Sequence, residues 1–376
     1  MIELLYPADK ERICIHTQVI KDFIYHNGAG HHYNNRERED VYSWLREYYD
    51  GRYTGNYKNN PDELNLTRSQ TVSFAWRSSV PCKLVISPCH DFSTTCLDYP
   101  ASPECCEIVY KGEYDGVFHA EADQLFSDTD YYWKIVAEDG SEESVPRSFV
   151  TFGGYPRFIF AEGTANFRDL GGLATYDGKR TRQGCVYRCA ALDSEIESNY
   201  DLTERGTRVL RDIVKLRCEL DIRREAFGVK KSSVLGDSVK YLQIIGRGYD
   251  YFFLPEEKEG RRRLVEALAD ENNYPICFHC AGGADRTGTL ALFILALLGV
   301  PRSLIELDYN ITTLTVVDKR KLGTWSDYDN FLVGYEGGDI TEYVKGSAEK
   351  YYLEQCGGDA DTLNRLRNNL LEDVTL

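Results

Sequence analysis

The chain has 376 residues, 42% hydrophobic and 28% charged, with 60 acidic against 44 basic side chains and a net charge of −16. The composition is that of a globular protein, and at the usual ~100–200 residues per domain the length suggests two units. The acidic balance argues against general nucleic-acid or anionic-membrane binding, so an anionic substrate would need a local basic pocket.

Met1–Pro7 shows no basic region followed by an apolar run, which predicts no secretory signal and a cytoplasmic protein. The longest apolar run, Leu290–Leu298, falls far short of the ~20 residues a spanning helix needs. Without an export signal, the 12 cysteines read mostly as reduced thiols. Cys82, Cys89, Cys96, Cys105 and Cys106 cluster near His90 but lack the paired spacing of a zinc site, so no metal and no cofactor is expected.

Residues 1–60 read as an irregular lead-in with one helix candidate at Glu37–Tyr49. From Thr71 apolar and polar residues alternate: Val72, Phe74 and Trp76 predict a strand with one buried face. Leu84–Ser87, Tyr131–Val136 and Ser148–Phe152 add further strands, separated by turns such as Glu138-Asp139-Gly140. Short strands with polar turns predict a β-sandwich over residues 61–153, with its aromatics in the core. Asp130–Ala137 resembles the tyrosine-bearing strand of fibronectin type III domains, and the N-terminal unit is a candidate for binding a protein partner. Gly153-Gly154-Tyr155-Pro156 marks the boundary.

Beyond it the pattern is α/β, a central sheet flanked by helices over residues 158–376. Thr203 caps a helix carrying Val209, Leu210, Ile213 and Val214, and Glu219–Ile222 reads as the next strand. Leu264, Val265 and Leu268 mark a helix leading into the strand Ile276–His279. A buried helix, Thr287–Leu298, follows and closes at Gly299.

Between that strand and that helix lies His279-Cys280-Ala281-Gly282-Gly283-Ala284-Asp285-Arg286-Thr287-Gly288. Five residues between cysteine and arginine let backbone N–H groups converge on one point, with Gly282 and Gly283 relaxing the curl. A cradle formed by Ala281, Gly282, Gly283, Ala284, Asp285 and Arg286 at a helix start favours a bound phosphate and an ionised Cys280 nucleophile. Arg286 can hold two phosphate oxygens with its planar fork. The Thr287 hydroxyl can donate to the sulfur, and His279 can support the loop. Cys277-Phe278-His279-Cys280 also has thioredoxin-like spacing, but Cys277 falls inside the strand; a disulfide with Cys280 would be strained, so only modest redox protection is expected.

These residues resemble the active-site loop of the protein tyrosine phosphatase superfamily. Asn166-Phe167-Arg168-Asp169-Leu170-Gly171-Gly172 resembles the signature of its bacterial group with dual protein and phosphoinositide activity. Val186-Tyr187-Arg188-Cys189-Ala190-Ala191-Leu192 is similar to that group's tyrosine-arginine-serine segment, with Cys189 in the serine's place. Leu220-Asp221-Ile222-Arg223 resembles its aspartate-leucine-arginine strand end. The resemblance implies metal-free hydrolysis of phosphate monoesters, above all phosphotyrosine, through a phosphocysteine. Phosphoinositide or inositol phosphate hydrolysis, or phosphoprotein binding without turnover, are the alternatives. Ala284 stands where the group usually has a lysine implied to bind further phosphates, which weighs against phosphoinositides. The resemblance makes Asp285 the general acid, with Asp250 second in line. Arg168 and Asp169 are expected to brace the loop alongside Asn166, and Arg188, Arg223 and Arg224 to be salt-bridged structure. Residues 311–352, carrying Trp325, Tyr328, Phe331, Tyr335 and Tyr343, lie where related phosphatases have a mobile lid.

Overall fold

The computed structural model describes residues 2–28, 66–67, 70–94, 113–114, 117–122, 125–196, 200–223, 230–248, 251–252, 254–315 and 347–374. Glu37–Tyr49, Cys96, Cys105, Cys106, Arg224, Asp250 and the five aromatics of the expected lid lie outside the described residues.

Alternation builds the N-terminal half. β1 (Glu3–Tyr6), β2 (Glu11–Cys14), β3 (Val72–Arg77), β4 (Cys82–Ser87), β5 (Glu113–Tyr114), β6 (Val117–Ala122), β7 (Thr129–Ala137) and β8 (Arg147–Phe152) form two four-stranded sheets. Their orders are β1-β3-β6-β5 and β2-β8-β7-β4. Every second residue of β3 and β7 turns inward, so Val72, Phe74 and Trp76 meet Tyr131, Trp133 and Ile135 in one shared apolar cluster. Phe74 and Trp133 contact edge to face at 5.2 Å between ring centroids.

The expected irregular lead-in does not hold for its first 28 residues. β1 pairs with β3 and β2 runs parallel to β8, one strand for each sheet. Four-residue strands are too short to display a clear alternation. α1 (Gln18–Gly28) follows, and its Val19, Ile20 and Phe23 enter the core of the C-terminal half. The halves also meet where Ser127 and Gln183 exchange two hydrogen bonds, of 2.9 and 2.8 Å.

The C-terminal half is mixed α/β. Its strands are β9 (Arg157–Phe158), β10 (Arg168–Asp169), β11 (Lys179–Thr181), β12 (Val186–Cys189), β13 (Cys218–Asp221), β14 (Lys240–Gln243), β15 (Ile276–His279) and β16 (Leu371–Asp373). Its helices are α2 (Glu204–Arg208), α3 (Lys258–Ala269), α4 (Asp285–Leu297), α5 (Arg302–Asn310) and α6 (Ala360–Leu370). Six strands form one sheet in the order β14-β13-β15-β12-β10-β9, the first four parallel and the last two antiparallel. β15, between β13 and β12, is buried at all four positions, as a central parallel strand covered on both faces must be. α4 is buried from Thr287 to Leu297, and an apolar helix of this kind can only sit within the core. The turn from β15 to α4 is thereby fixed at both ends, at the carboxyl edge of the parallel strands where α/β sheets bind ligands. Among the described residues, no helix is long and apolar enough to cross a membrane.

Candidate active site

The β15–α4 loop is the place where backbone geometry is most constrained by its neighbours. Gly283 has φ +65°, and a Cβ there would stand 2.2 Å from the Cys189 carbonyl oxygen. Glycine is required on both counts. Cys280 is only 3% exposed, and Gly283, Ala284 and Thr287 are buried with it, while Ala281, Gly282, Asp285 and Arg286 keep partial exposure. The loop therefore encloses Cys280 while Asp285 and Arg286 stay partly accessible. The first free N–H groups of α4, a helix of 13 residues, lie at this loop.

One flank of the loop is gripped by β10, β12 and α5. Asn166 occupies the left-handed region at φ +56°, which asparagine tolerates better than most residues. Its Nδ2 donates to the Gly283 carbonyl at 2.8 Å, and its Oδ1 accepts from Arg168 Nη1. Arg188 Nη2 donates to the Gly283 and Ala284 carbonyls at 2.8 and 3.3 Å. Arg168 Nε and Arg188 Nη1 both bind the Asp308 carboxylate of α5, which also accepts from the Tyr155 hydroxyl. Burial would raise the Asp308 pKa, but Arg188 and Arg168 hold it below the usual carboxylate value. Asp169 does not reach the loop: it binds Arg157 at 2.6 Å and accepts from the Gly171 and Gly184 amides at 2.8 and 2.7 Å. It braces the chain reversals beside β10, because alternate residues of a strand face opposite sides.

The other flank is β13 and β14. His279 Nε2 lies 3.0 Å from Glu219 Oε1, and its Nδ1 lies 3.3 Å from the Cys280 carbonyl. Burial alone would lower the imidazole pKa, but the Asp221 charge and the Glu219 hydrogen bond overcome it and raise it to about 9. The shift favours the doubly protonated ring, in which both nitrogens can donate. Arg223 is salt-bridged to Asp221 at 2.7 Å and to Asp193 at 3.0 Å. Glu219, Asp221 and His279 place ligand-type atoms within 4.8 Å of one another, but a cation there would face the Arg223 guanidinium. Asp221 also accepts from Tyr241 at 2.9 Å, and Glu219 from Ser233.

Two expectations need correction. The Thr287 hydroxyl is buried and makes no hydrogen bond, so the expected donation to the Cys280 sulfur is not formed; that donor remains available to a charge arriving in the site. Cys277 does not face Cys280. It lies with Cys189 in the cluster on one side of the sheet, whereas Cys280 joins Ile276 and Phe278 in the cluster on the other. A hydrogen bond that the Cys277 thiol gives to Cys189, together with burial, holds that thiol well above its usual pKa.

The Tyr309 hydroxyl, just behind α5's buried face, donates to Asp285 Oδ1 at 3.3 Å. Gly248 packs 3.2 Å from the Arg286 backbone, as measured to the Cβ position it lacks. Asp308, Glu219, Tyr155 and Tyr309 were not singled out from sequence. For Asp308 a signal existed: it follows Leu304 and Ile305 at helical spacing, a carboxylate on an apolar stripe.

Residues 159–332 match the tyrosine phosphatase family. A protein of Cupriavidus necator, provisionally named a tyrosine-protein phosphatase, is 33% identical over 163 residues, covering 39% of this chain and 59% of that protein. The chain therefore spans somewhat more than half the length of this curated relative. Among solved structures, the catalytic domain of the Saccharomyces cerevisiae PP-IP phosphatase Siw14 aligns at 17% identity. That alignment covers 45% of this chain and 89% of that one, with a TM-score of 0.29. A second structure of the Siw14 catalytic core aligns at 16% identity over the same shares, with a TM-score of 0.28. Residues 159–332 are thus similar to the tyrosine phosphatase family.

Proposed function

We propose that this protein hydrolyses phosphate monoesters, phosphotyrosine in proteins first among them, through a phosphocysteine at Cys280. The observation that carries the reading is the loop itself, with a buried cysteine, a partly exposed aspartate and arginine, and a helix start closing it. In the first step Cys280 Sγ bonds to phosphorus as the P–O ester bond breaks, and Asp285 gives its proton to the departing oxygen. Arg286 and the loop amides hold the equatorial oxygens, where charge accumulates. In the second step Asp285 takes a proton from water, the water oxygen bonds to phosphorus, and the S–P bond breaks to release phosphate. No metal is needed, since the negative charge is met by donors the chain supplies.

Ala284 favours a site for one phosphate group over one for a polyphosphorylated inositol, because it places no second cation inside the loop. The two N-terminal sheets are read as a fibronectin type III-like β-sandwich that holds a protein partner. A panel of phosphotyrosine peptides, phosphoserine peptides and phosphoinositides tests the substrate class, with phosphotyrosine expected to give the highest kcat/KM. Asp285→Asn should lose far more activity on phosphotyrosine than on an aryl phosphate with a weakly basic phenolate. Equal losses would assign Asp285 to holding the loop, and a phosphoinositide preference would overturn the substrate class.

A further inference from the structure

The peptide planes of the loop are held from behind. Arg188 Nη2 and Asn166 Nδ2 both donate to the Gly283 carbonyl, each at 2.8 Å, and Arg188 Nη2 reaches the Ala284 carbonyl at 3.3 Å. In a trans peptide the C=O and the following N–H point in opposite directions. Carbonyls drawn back toward Arg188 therefore turn the Ala284 and Asp285 amides the other way, away from the arginine and toward the hollow of the loop.

The same cluster is unbalanced in charge. Arg168 and Arg188 are fully buried and Asp308 is 1% exposed, and both guanidinium groups share that one carboxylate. Tyr155, its remaining partner, is neutral, since burial pushes its hydroxyl pKa well above the usual value. Arg188 Nε is buried without a hydrogen-bond partner. An arginine cannot shed its charge to relieve this, so among the described residues one positive charge is left over directly behind the loop.

We propose that Arg188 is a positioning residue of the phosphate cradle: it aims the Ala284 and Asp285 amides at the substrate and supplies a second positive charge from behind, so that the site selects phosphate as a dianion. The proposal rests on the phosphatase reading. Arg286 meets the phosphate with its own side chain and Arg188 meets it through the backbone. A buried charge several ångströms away is screened far less than one in water, and it costs no reorganisation when the anion arrives.

The full chain, assayed with an aryl phosphate, gives the test through competitive inhibition by inorganic phosphate. Arg188→Met should raise the phosphate inhibition constant by about tenfold or more, the scale of one charge seen across a protein interior. Arg188→Lys keeps the charge but cannot span both carbonyls, and should raise it by roughly threefold. Thermal melting of each variant separates the effect from unfolding: a purely structural role would move melting and kcat together and leave phosphate inhibition of the folded fraction unchanged. A folded Arg188→Met protein with parental phosphate inhibition overturns the inference, and a lysine variant as impaired as the methionine variant overturns its charge component. Should Arg188→Met not fold, the lysine variant decides alone, with parental inhibition counting against the proposal. Failure of the phosphatase reading looks different, because the unmodified protein would then neither hydrolyse the aryl phosphate nor bind phosphate.

Discussion

The two buried ion clusters that flank the loop are built on opposite accounts of charge. On the β13 side the buried carboxylates Glu219, Asp221 and Asp193 face the cations His279, Arg223 and Lys230, and Lys230 also reaches the exposed Glu195, so every cation there has a carboxylate. On the β12 side, among the described residues, Arg168 and Arg188 face Asp308 alone. Buried ion pairs are weak evidence for net stability, because desolvation offsets much of their attraction. What separates the clusters is the direction of the remainder. The balanced one fixes the His279 ring and, through its Nδ1, the Cys280 carbonyl, while the unbalanced one leaves a positive charge behind the loop.

Removing the shared carboxylate should break the comparison most severely. Asp308→Asn leaves two desolvated guanidinium groups side by side, and a loss of about 3–5 kcal/mol is expected in denaturant unfolding. A loss below about 1 kcal/mol would mean that water or another group already compensates the pair. Glu219→Gln should cost less, about 1.5–3 kcal/mol for a charged hydrogen bond, because Asp221 still faces the ring. It also carries a pH signature. The folded pKa of His279 lies above its unfolded one, so its contribution is complete below about pH 6.5 and is lost as pH rises through about 9. Unfolding free energy should therefore decline across that window in the parent and decline less in Glu219→Gln. Matching slopes would show that His279 is not the group being titrated. The smallest effect belongs to Cys277→Ser: peroxide inactivation and its reversal by thiols should proceed at the parental rate, and slower recovery would restore Cys277 to the redox chemistry.

Much of the site could be read from sequence because it is contiguous. Cys280 to Thr287 lie in one turn between a strand and a helix, and the alternation of Val72, Phe74 and Trp76 likewise marked β3. The grip on the loop was less legible, since Arg188 and Asn166 reach Gly283 across 95 and 117 residues. The contacts that choose Asp308 and Glu219 exist only after β12, β13 and α5 have packed. Cys277 misled for a local reason, since closeness in sequence along a strand puts neighbours on opposite faces. β1 and β2 escaped because four residues carry too little periodicity to separate a strand from an irregular segment.

The central claim is that Cys280 carries the phosphoryl group, and rapid alkaline denaturing quenching of the enzyme during turnover of a radiolabelled phosphotyrosine peptide tests it directly. The account predicts a phosphoprotein, stable in base and labile in mild acid as a thiophosphate is, whose label maps to the peptide containing Cys280 and is absent from Cys280→Ser, which should also show no turnover above background. Turnover by Cys280→Ser, or label on any other residue, would contradict it.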